Sequence, residues 1–196
     1  MGRRADIARE TKETSISVTL DLDDAAQSEI STGIAFVDHM LDAFARHGRF
    51  GLRLAANGDL DVDAHHTVED IGLVLGQALR TAVGDKAGIR RFGAATIPMD
   101  EALARVVVDL SGRPGLFYRV VPPAAVVGGI DPRLFREFFQ ALVNTGGLTV
   151  HVDMLAGEES HHVFEAVFKA FGRALDQATQ LDPCCTGVPS TKGVLE

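Results

Sequence analysis

The sequence predicts a fold of mixed helices and strands in which one structural unit occurs twice. Three observations predict it. Residues 14–22 (TSISVTLDL) alternate apolar and polar side chains as a strand does. Residues 65–83 carry Val68, Ile71, Leu75 and Leu79 at helical spacing. Residues 65–79 also align without gaps on 161–175, at an offset of 96. Six of those fifteen positions are identical: His65/His161, His66/His162, Glu69/Glu165, Gly76/Gly172, Ala78/Ala174 and Leu79/Leu175. Chance gives about one, so the chain carries an internal repeat.

The elements follow in order. Ile16, Val18, Leu20 and Leu22 line one face of the first strand. Residues 36–47 place Phe36, Met40, Leu41, Phe44 and His47 at helical spacing, with Gly48 as the expected C-cap. Residues 50–55 read as a strand, and Asp59, Asp61 and Asp63 lead into the 65–83 helix. Strands over 94–98 and 102–110 flank Met99–Asp100–Glu101. Ser111–Gly112–Arg113–Pro114–Gly115 is a loop by composition, and 116–121 is a further strand. Asp131 as N-cap and Pro132 at the first helical position start a helix that runs to Thr145 and ends at Gly146–Gly147. A strand over 148–154 precedes a last helix, capped by Ser160, that runs to about 179. Gly51–Leu52 and Gly147–Leu148 stand at the repeat offset, each opening a strand, so both halves read as helix–strand–loop–helix units. The tail from Pro183 to Glu196 has no clear periodicity.

Composition narrows the function classes. The 196 residues carry 19 Lys+Arg against 27 Asp+Glu, a formal net charge of −8. That balance argues against a general nucleic-acid binder, because no basic stripe neutralises phosphates. With 46% hydrophobic and 23% charged residues the chain reads as globular. No apolar run approaches the roughly 20 residues of a membrane helix, and no apolar stretch of the leader type follows Arg3–Arg4. The two cysteines, Cys184 and Cys185, are adjacent and form no disulfide framework, so a cytoplasmic location is expected.

Seven histidines carry the chemistry, four of them in the two adjacent pairs of the repeat. In His-His-x-x-Glu on a helix, the first histidine and the glutamate are i and i+4, about 6 Å apart on one face. His65 with Glu69, and His161 with Glu165, each form such a pair for one metal ion. His66 and His162 are turned about 100° away and point to a second site. Two pseudo-symmetric metal sites follow, each taking an i,i+4 pair from one repeat and the odd histidine from the other. Nitrogen and carboxylate ligands with open positions suit catalytic Mn²⁺, Fe²⁺ or Zn²⁺. His39 and His151 lie outside the pairs, and spacing leaves each open between a hydrogen-bonded core residue and a ligand. Asp21–Leu22–Asp23–Asp24 reads as a solvated turn, since Ala25 breaks the phosphatase nucleophile pattern. Basic residues gather at Arg90–Arg91, at Arg113 and at Lys192 within Ser190–Thr191–Lys192–Gly193. Beside two metals, these suggest a small phosphorylated substrate. The divergence of the adjacent histidines argues against a di-metal hydrolase with a shared bridging water. The strand-like ALARVVVDL argues against a four-helix metal-storage protein.

These motifs resemble those of the imidazoleglycerol-phosphate dehydratases, from Thr11–Lys12–Glu13–Thr14 to Ser190–Thr191–Lys192–Gly193. The match includes Asp38–His39–Met40–Leu41–Asp42, His47–Gly48, His65–His66–Thr67–Val68–Glu69–Asp70, His151, Leu155–Ala156–Gly157–Glu158 and Ser160–His161–His162 through Glu165–Ala166. The resemblance implies an internally duplicated α+β domain of the ribosomal protein S5 domain 2-like class. Its two similar halves would each pack a mainly four-stranded sheet with helices. The single domain would span 1–196, with repeats over about 6–92 and 93–182 and a substrate-binding tail over 183–196. It also implies Mn²⁺ at two sites per active centre and a 24-subunit particle with shared active sites. The implied metal ligands are His39, His65, His66, Glu69, His151, His161, His162 and Glu165. The implied substrate contacts are Glu13, His47, Arg91, Arg113, Ser190, Thr191 and Lys192, with Glu13 as proton shuttle. The implied reaction is that of a hydro-lyase of histidine biosynthesis, converting imidazole glycerol phosphate to imidazole acetol phosphate.

Overall fold

The structure, a computed structural model, describes residues 2–25 and 28–195. Met1, Ala26, Gln27 and Glu196, the last residue of the expected tail, lie outside the described residues. Alternation builds the opening hairpin. β1 (Arg4–Glu10) and β2 (Thr14–Asp21) pair antiparallel from Arg4↔Asp21 to Glu10↔Ser15, and β2 buries Thr14, Ile16, Val18 and Leu20 while the alternate side chains face outward. β3 (Ser28–Ser31) precedes α1 (Ala35–Gly48), which crosses over to β4 (Gly51–Gly58). Because a helix intervenes, β3 and β4 run parallel, and the first sheet has the order β1-β2-β4-β3. α2 (His65–Val83) then closes the first half.

The second half repeats this plan with β5 (Phe92–Met99), β6 (Ala102–Asp109), β7 (Gly115–Arg119), α3 (Leu134–Gly146), β8 (Thr149–Ala156) and α4 (Ser160–Thr179). Its sheet has the order β5-β6-β8-β7, again with one parallel pair, β7 and β8. Among the described residues no helix is long and apolar enough to cross a membrane.

The halves share one core. α1 and α2 pack on the first sheet, α3 and α4 on the second, and the two helical layers face each other with α1 against α4 and α2 against α3. Aromatic rings fill this middle, with Phe44 stacked on Phe171 at 5.2 Å and Phe135 against Phe164 at 4.8 Å. The repeated glycines explain how close the helices come. A Cβ on Gly76 would lie 2.4 Å from the Leu142 carbonyl oxygen, and one on Gly172 would lie 2.4 Å from that of Phe44. Both crossings therefore need a missing side chain at the same position of the repeat.

Several boundaries differ from the sequence reading. α1 includes Gly48, and the left-handed residue that ends it is Arg49, at φ 58°. Its counterpart at the end of α3 is Gly147, at φ 63°, so Gly147 closes a helix rather than opening a strand like Gly51. Asp131 and Pro132 form a turn whose carbonyls accept from Leu134 and Phe135, and the helix proper starts at Leu134. The cap of α4 is Glu159, whose carboxylate accepts from the His162 N–H, while the Ser160 hydroxyl accepts from the Ala124 N–H. β1 and β3 carry no strand signal in the sequence.

Candidate metal centre

The Glu159 cap sets where α4 begins. Backbone donation, from His161 first and then His162, holds the Glu159 carboxyl below the ordinary carboxylate range, and a negative group suits a helix N-terminus. The helix then displays His161 and Glu165 one turn apart. α1, packed against α4, brings His39 to the same point from the other half of the chain. His39 Nε2 and His161 Nε2 each lie 3.3 Å from Glu165 Oε2, and the two rings are 5.3 Å apart. Phe36 meets the His161 ring edge-on at 5.2 Å and fixes its tilt.

Two imidazole nitrogens and one carboxylate oxygen within 4.8 Å of one another form the one such group of three among the described residues. Adjacent ligands on an octahedral ion at about 2.2 Å stand about 3 Å apart, so these donor spacings fit a borderline divalent ion with little rearrangement. The other Glu165 oxygen, Oε1, accepts from Lys169 Nζ at 2.6 Å. Burial alone would raise the Glu165 pKa, but the Lys169 hydrogen bond and charge, followed by His39, hold it below the ordinary value. The carboxylate is thus kept ionised and aimed.

The first repeat presents the matching pair, with His65 Nε2 3.6 Å from Glu69 Oε2. The rings of His65 and His66 are 85° apart in plane, and those of His161 and His162 82° apart, so the adjacent histidines diverge as the helical geometry requires. His66 turns its Nδ1 to Asp59, and His162 turns its Nδ1 to Glu101. These hydrogen bonds raise the pKa of both histidines above the ordinary value.

The remaining predicted residues are dispersed. His151 lies on the outer face of the second sheet, stacked on Phe117 at 4.3 Å, with Arg119 Nη2 3.4 Å from its Nδ1. On the same face Asp153 of β8 stands in register between Arg105 of β6 and Arg119 of β7 and bonds both. Glu13 is exposed in the β1–β2 turn, and its charge reaches His66. His47, half-buried near the end of α1, has its pKa lowered by burial and then by Lys169 and Arg173. Arg91, in the left-handed region at φ 71°, grips Asp109 through Nε and Nη2 and donates from Nη1 to the Pro189 carbonyl. That bond ties the tail to the body close to Ser190. Arg113, Thr191 and Lys192 are exposed, and the Lys192 N–H donates to Ser190 Oγ. Sequence reasoning missed Lys169, although it stands at i+4 from Glu165, the same spacing that flagged His161.

The model of the family described as imidazoleglycerol-phosphate dehydratase matches residues 32–175. The chain is 58% identical to the imidazoleglycerol-phosphate dehydratase of Geobacter metallireducens over 195 residues, covering 100% of both chains. It is 57% identical to that of Geobacter sulfurreducens, again over 100% of both. Among solved structures, the dehydratase of Staphylococcus aureus superposes with a TM-score of 0.83 at 41% identity, over 91% of this chain and 99% of that one. The Pyrococcus furiosus structure gives 0.85 at 41% identity, over 96% and 100%. The two four-stranded sheets with their helices are the fold shared with these structures. The chain belongs to the imidazoleglycerol-phosphate dehydratase family.

Proposed function

We propose that this chain is a cytoplasmic hydro-lyase of histidine biosynthesis that dehydrates D-erythro-imidazole glycerol phosphate to imidazole acetol phosphate with two Mn²⁺ per active centre. The observation that carries the metal dependence is the convergence of His39, His161 and Glu165, whose donor atoms have the spacing of adjacent ligands on one ion. His39, His161 and Glu165 would hold one ion, with His66 of a neighbouring copy. His65 and Glu69 would hold the other, with His151 and His162 supplied by neighbouring copies. Three of the eight ligands, His66, His151 and His162, stand apart from their own chain's i,i+4 pairs. That supports shared active sites and self-association, in this reading into a 24-subunit particle.

The C–H bond to be broken has no carbonyl beside it, so it is not acidic by itself. A bound divalent ion supplies Lewis-acid stabilisation of negative charge on the substrate's imidazole ring. The chain supplies the rest. Glu13, exposed beside His66, takes the proton from carbon, and the hydroxyl on the neighbouring carbon leaves. Glu13 returns the proton to that neighbouring carbon as the enol becomes the ketone, the enol O–H proton going with the lost hydroxyl to make water. His47 lines the substrate site, with its pKa lowered by burial, Lys169 and Arg173. Arg91, Arg113, Ser190, Thr191 and Lys192 hold the phosphate, because a chain of net charge −8 attracts an anion only through local donors. Arg91, already bonded to Pro189, places Ser190–Thr191–Lys192 to fold over that phosphate.

The test is incubation of the purified chain with imidazole glycerol phosphate and Mn²⁺, following the enol–ketone product. Turnover that appears with Mn²⁺ and disappears with chelator is the expected result. No turnover by a chain whose Mn²⁺ content is confirmed by elemental analysis overturns the reading.

A further inference from the structure

His66 and His162 occupy the same place in the repeat, and neither joins the cluster of His39, His161 and Glu165. Each instead places Nδ1 against a carboxylate. His66 Nδ1 is 3.0 Å from Asp59 Oδ2 and 3.3 Å from Oδ1. His162 Nδ1 is 2.8 Å from Glu101 Oε2. An ionised carboxylate only accepts, so the nitrogen facing it carries the proton. The neutral ring then keeps its lone pair on Nε2. Both histidines are therefore held in one tautomer, with the free nitrogen on the far side of the ring.

The two carboxylates are not copies of each other. Thr14 and Ala102 open the equivalent strands β2 and β6, so Glu101, one residue before Ala102, corresponds to Glu13, one residue before Thr14, and not to Asp59. Asp59 comes from the loop between β4 and α2, and Glu101 from the turn between β5 and β6. The same hydrogen bond to the same nitrogen is thus built twice from unrelated positions, which duplication alone does not produce. Glu101 is itself fixed, since its Oε1 accepts from the backbone N–H groups of Glu158 and Glu159 at 3.3 and 3.0 Å. Of the other carboxylates near His162, Glu159 accepts from the backbone N–H, and Asp100 is 3.9 Å from Nε2, beyond hydrogen-bond reach, and leaves that nitrogen open.

We propose that Asp59 and Glu101 are positioning residues that set the tautomer and direction of His66 and His162, so that each presents Nε2 to a metal ion held by another copy's His–Glu pair. The inference rests on the two-metal reading above. A ligating histidine whose other ring nitrogen donates to a carboxylate is a more basic and better-aimed ligand, and loss of that partner weakens metal binding about 10- to 100-fold.

Glu101→Gln is the sharper variant. Its side-chain oxygen still accepts from Glu158 and Glu159, but its amide then faces Nδ1 as a donor and forces the proton to Nε2. Asp59→Ala removes the other partner outright. The experiment is Mn²⁺ titration of the metal-free chains, reading free Mn²⁺ by electron paramagnetic resonance, with ¹⁵N resonances of the histidine rings recorded before metal is added. Expected are a 10- to 100-fold weaker class of Mn²⁺ site in each single variant and two such classes in the double variant. The metal-free ring spectra should show His66 and His162 protonated at Nδ1 in the wild type, with His162 shifted to the Nε2–H form in Glu101→Gln. Melting of the chelated variants should match the chelated wild type, which separates positioning from a merely structural role. Wild-type Mn²⁺ binding with unaltered affinity in the variants overturns the positioning role alone. A wild-type chain that binds no Mn²⁺ overturns the metal reading and this inference with it.

Discussion

Gly172→Ala tests whether the crossing of α1 and α4 builds the cluster of His39, His161 and Glu165 proposed to hold Mn²⁺. The new Cβ would stand 2.4 Å from the Phe44 carbonyl oxygen and 2.9 Å from the Gly48 nitrogen. Ordinary contact needs about 3.4 Å or more, so the two helices must part by about 1 Å. Both nearby atoms belong to backbone, and no side-chain rotation relieves the clash. Overpacking of this kind costs about 3 kcal/mol, and the better helix propensity of alanine returns about 1 kcal/mol. The net loss of about 2 kcal/mol lowers Tm by about 4–8 °C in a domain of this size. His39 rides on α1, and moving that helix draws Nε2 away from the Glu165 oxygen that now lies 3.3 Å off. Mn²⁺ affinity should therefore fall about tenfold as well, the cost of a misdirected ligand. The assay is calorimetric melting plus Mn²⁺ titration, with Gly187→Ala as the control, since a Cβ at Gly187 meets nothing within 4 Å. A Gly172→Ala chain that melts at or above the wild type and binds Mn²⁺ with wild-type affinity refutes the reasoning.

Four further outcomes are expected. Glu69→Gln should weaken one class of Mn²⁺ site by about a hundredfold with the fold intact, and unchanged metal content and activity would remove Glu69 from the ligand set. Lys192→Ala should raise KM about 10- to 100-fold through a lost contact of roughly 1.5–3 kcal/mol, with metal content preserved; an equal loss toward an analogue lacking the phosphate contradicts the role. Asp153 has its pKa lowered by the Arg119 hydrogen bond and then by Arg105, against burial that raises it. A depressed folded pKa adds stability above the unfolded value of about 4 and loses it as pH falls through the folded value. Asp153→Asn should thus be about 1–2 kcal/mol less stable at pH 7, the half-exposed arginines screening the rest, with the deficit vanishing at still lower pH; a deficit independent of pH refutes the ion-pair account. Chelation should release smaller, still folded oligomers that regrow when Mn²⁺ is restored, and light scattering that gives one mass throughout contradicts metals bridging chains.

The elements legible in the sequence are those whose signal is local. α2 spans His65–Val83 as its apolar spacing predicts, and α4 ends at Thr179. β1 and β3 escaped because little in them is apolar: Ala5, Ile7 and Ala8 in the first and Ile30 alone in the second. They become strands through their pairing with β2 and β4, which no local pattern encodes. The same division holds at the site. Helical spacing finds His161 with Glu165 and the divergence of His162, because one helix supplies them all. His39 lies 126 residues from Glu165, and only the packing of α1 on α4 joins them. Lys169, Asp59 and Glu101 stayed hidden because lysines and acids are ordinary surface residues until their partners are placed.

The crossings of α1 with α4 and of α2 with α3 are one contact made twice. The first helix of each half lies on the second helix of the other, and Gly76 and Gly172 make room in the same way. In an oligomer that reciprocity, where i meets j and j meets i, is the mark of a two-fold axis. A half-length ancestor would have exposed both helices of its layer to solvent and would have hidden them by pairing with a second copy of itself. Joining two such copies in one chain would turn an encounter that depends on concentration into a permanent one. The two halves are nonetheless not identical at this contact, since Glu165 has a lysine one turn later while Glu69 has Leu73.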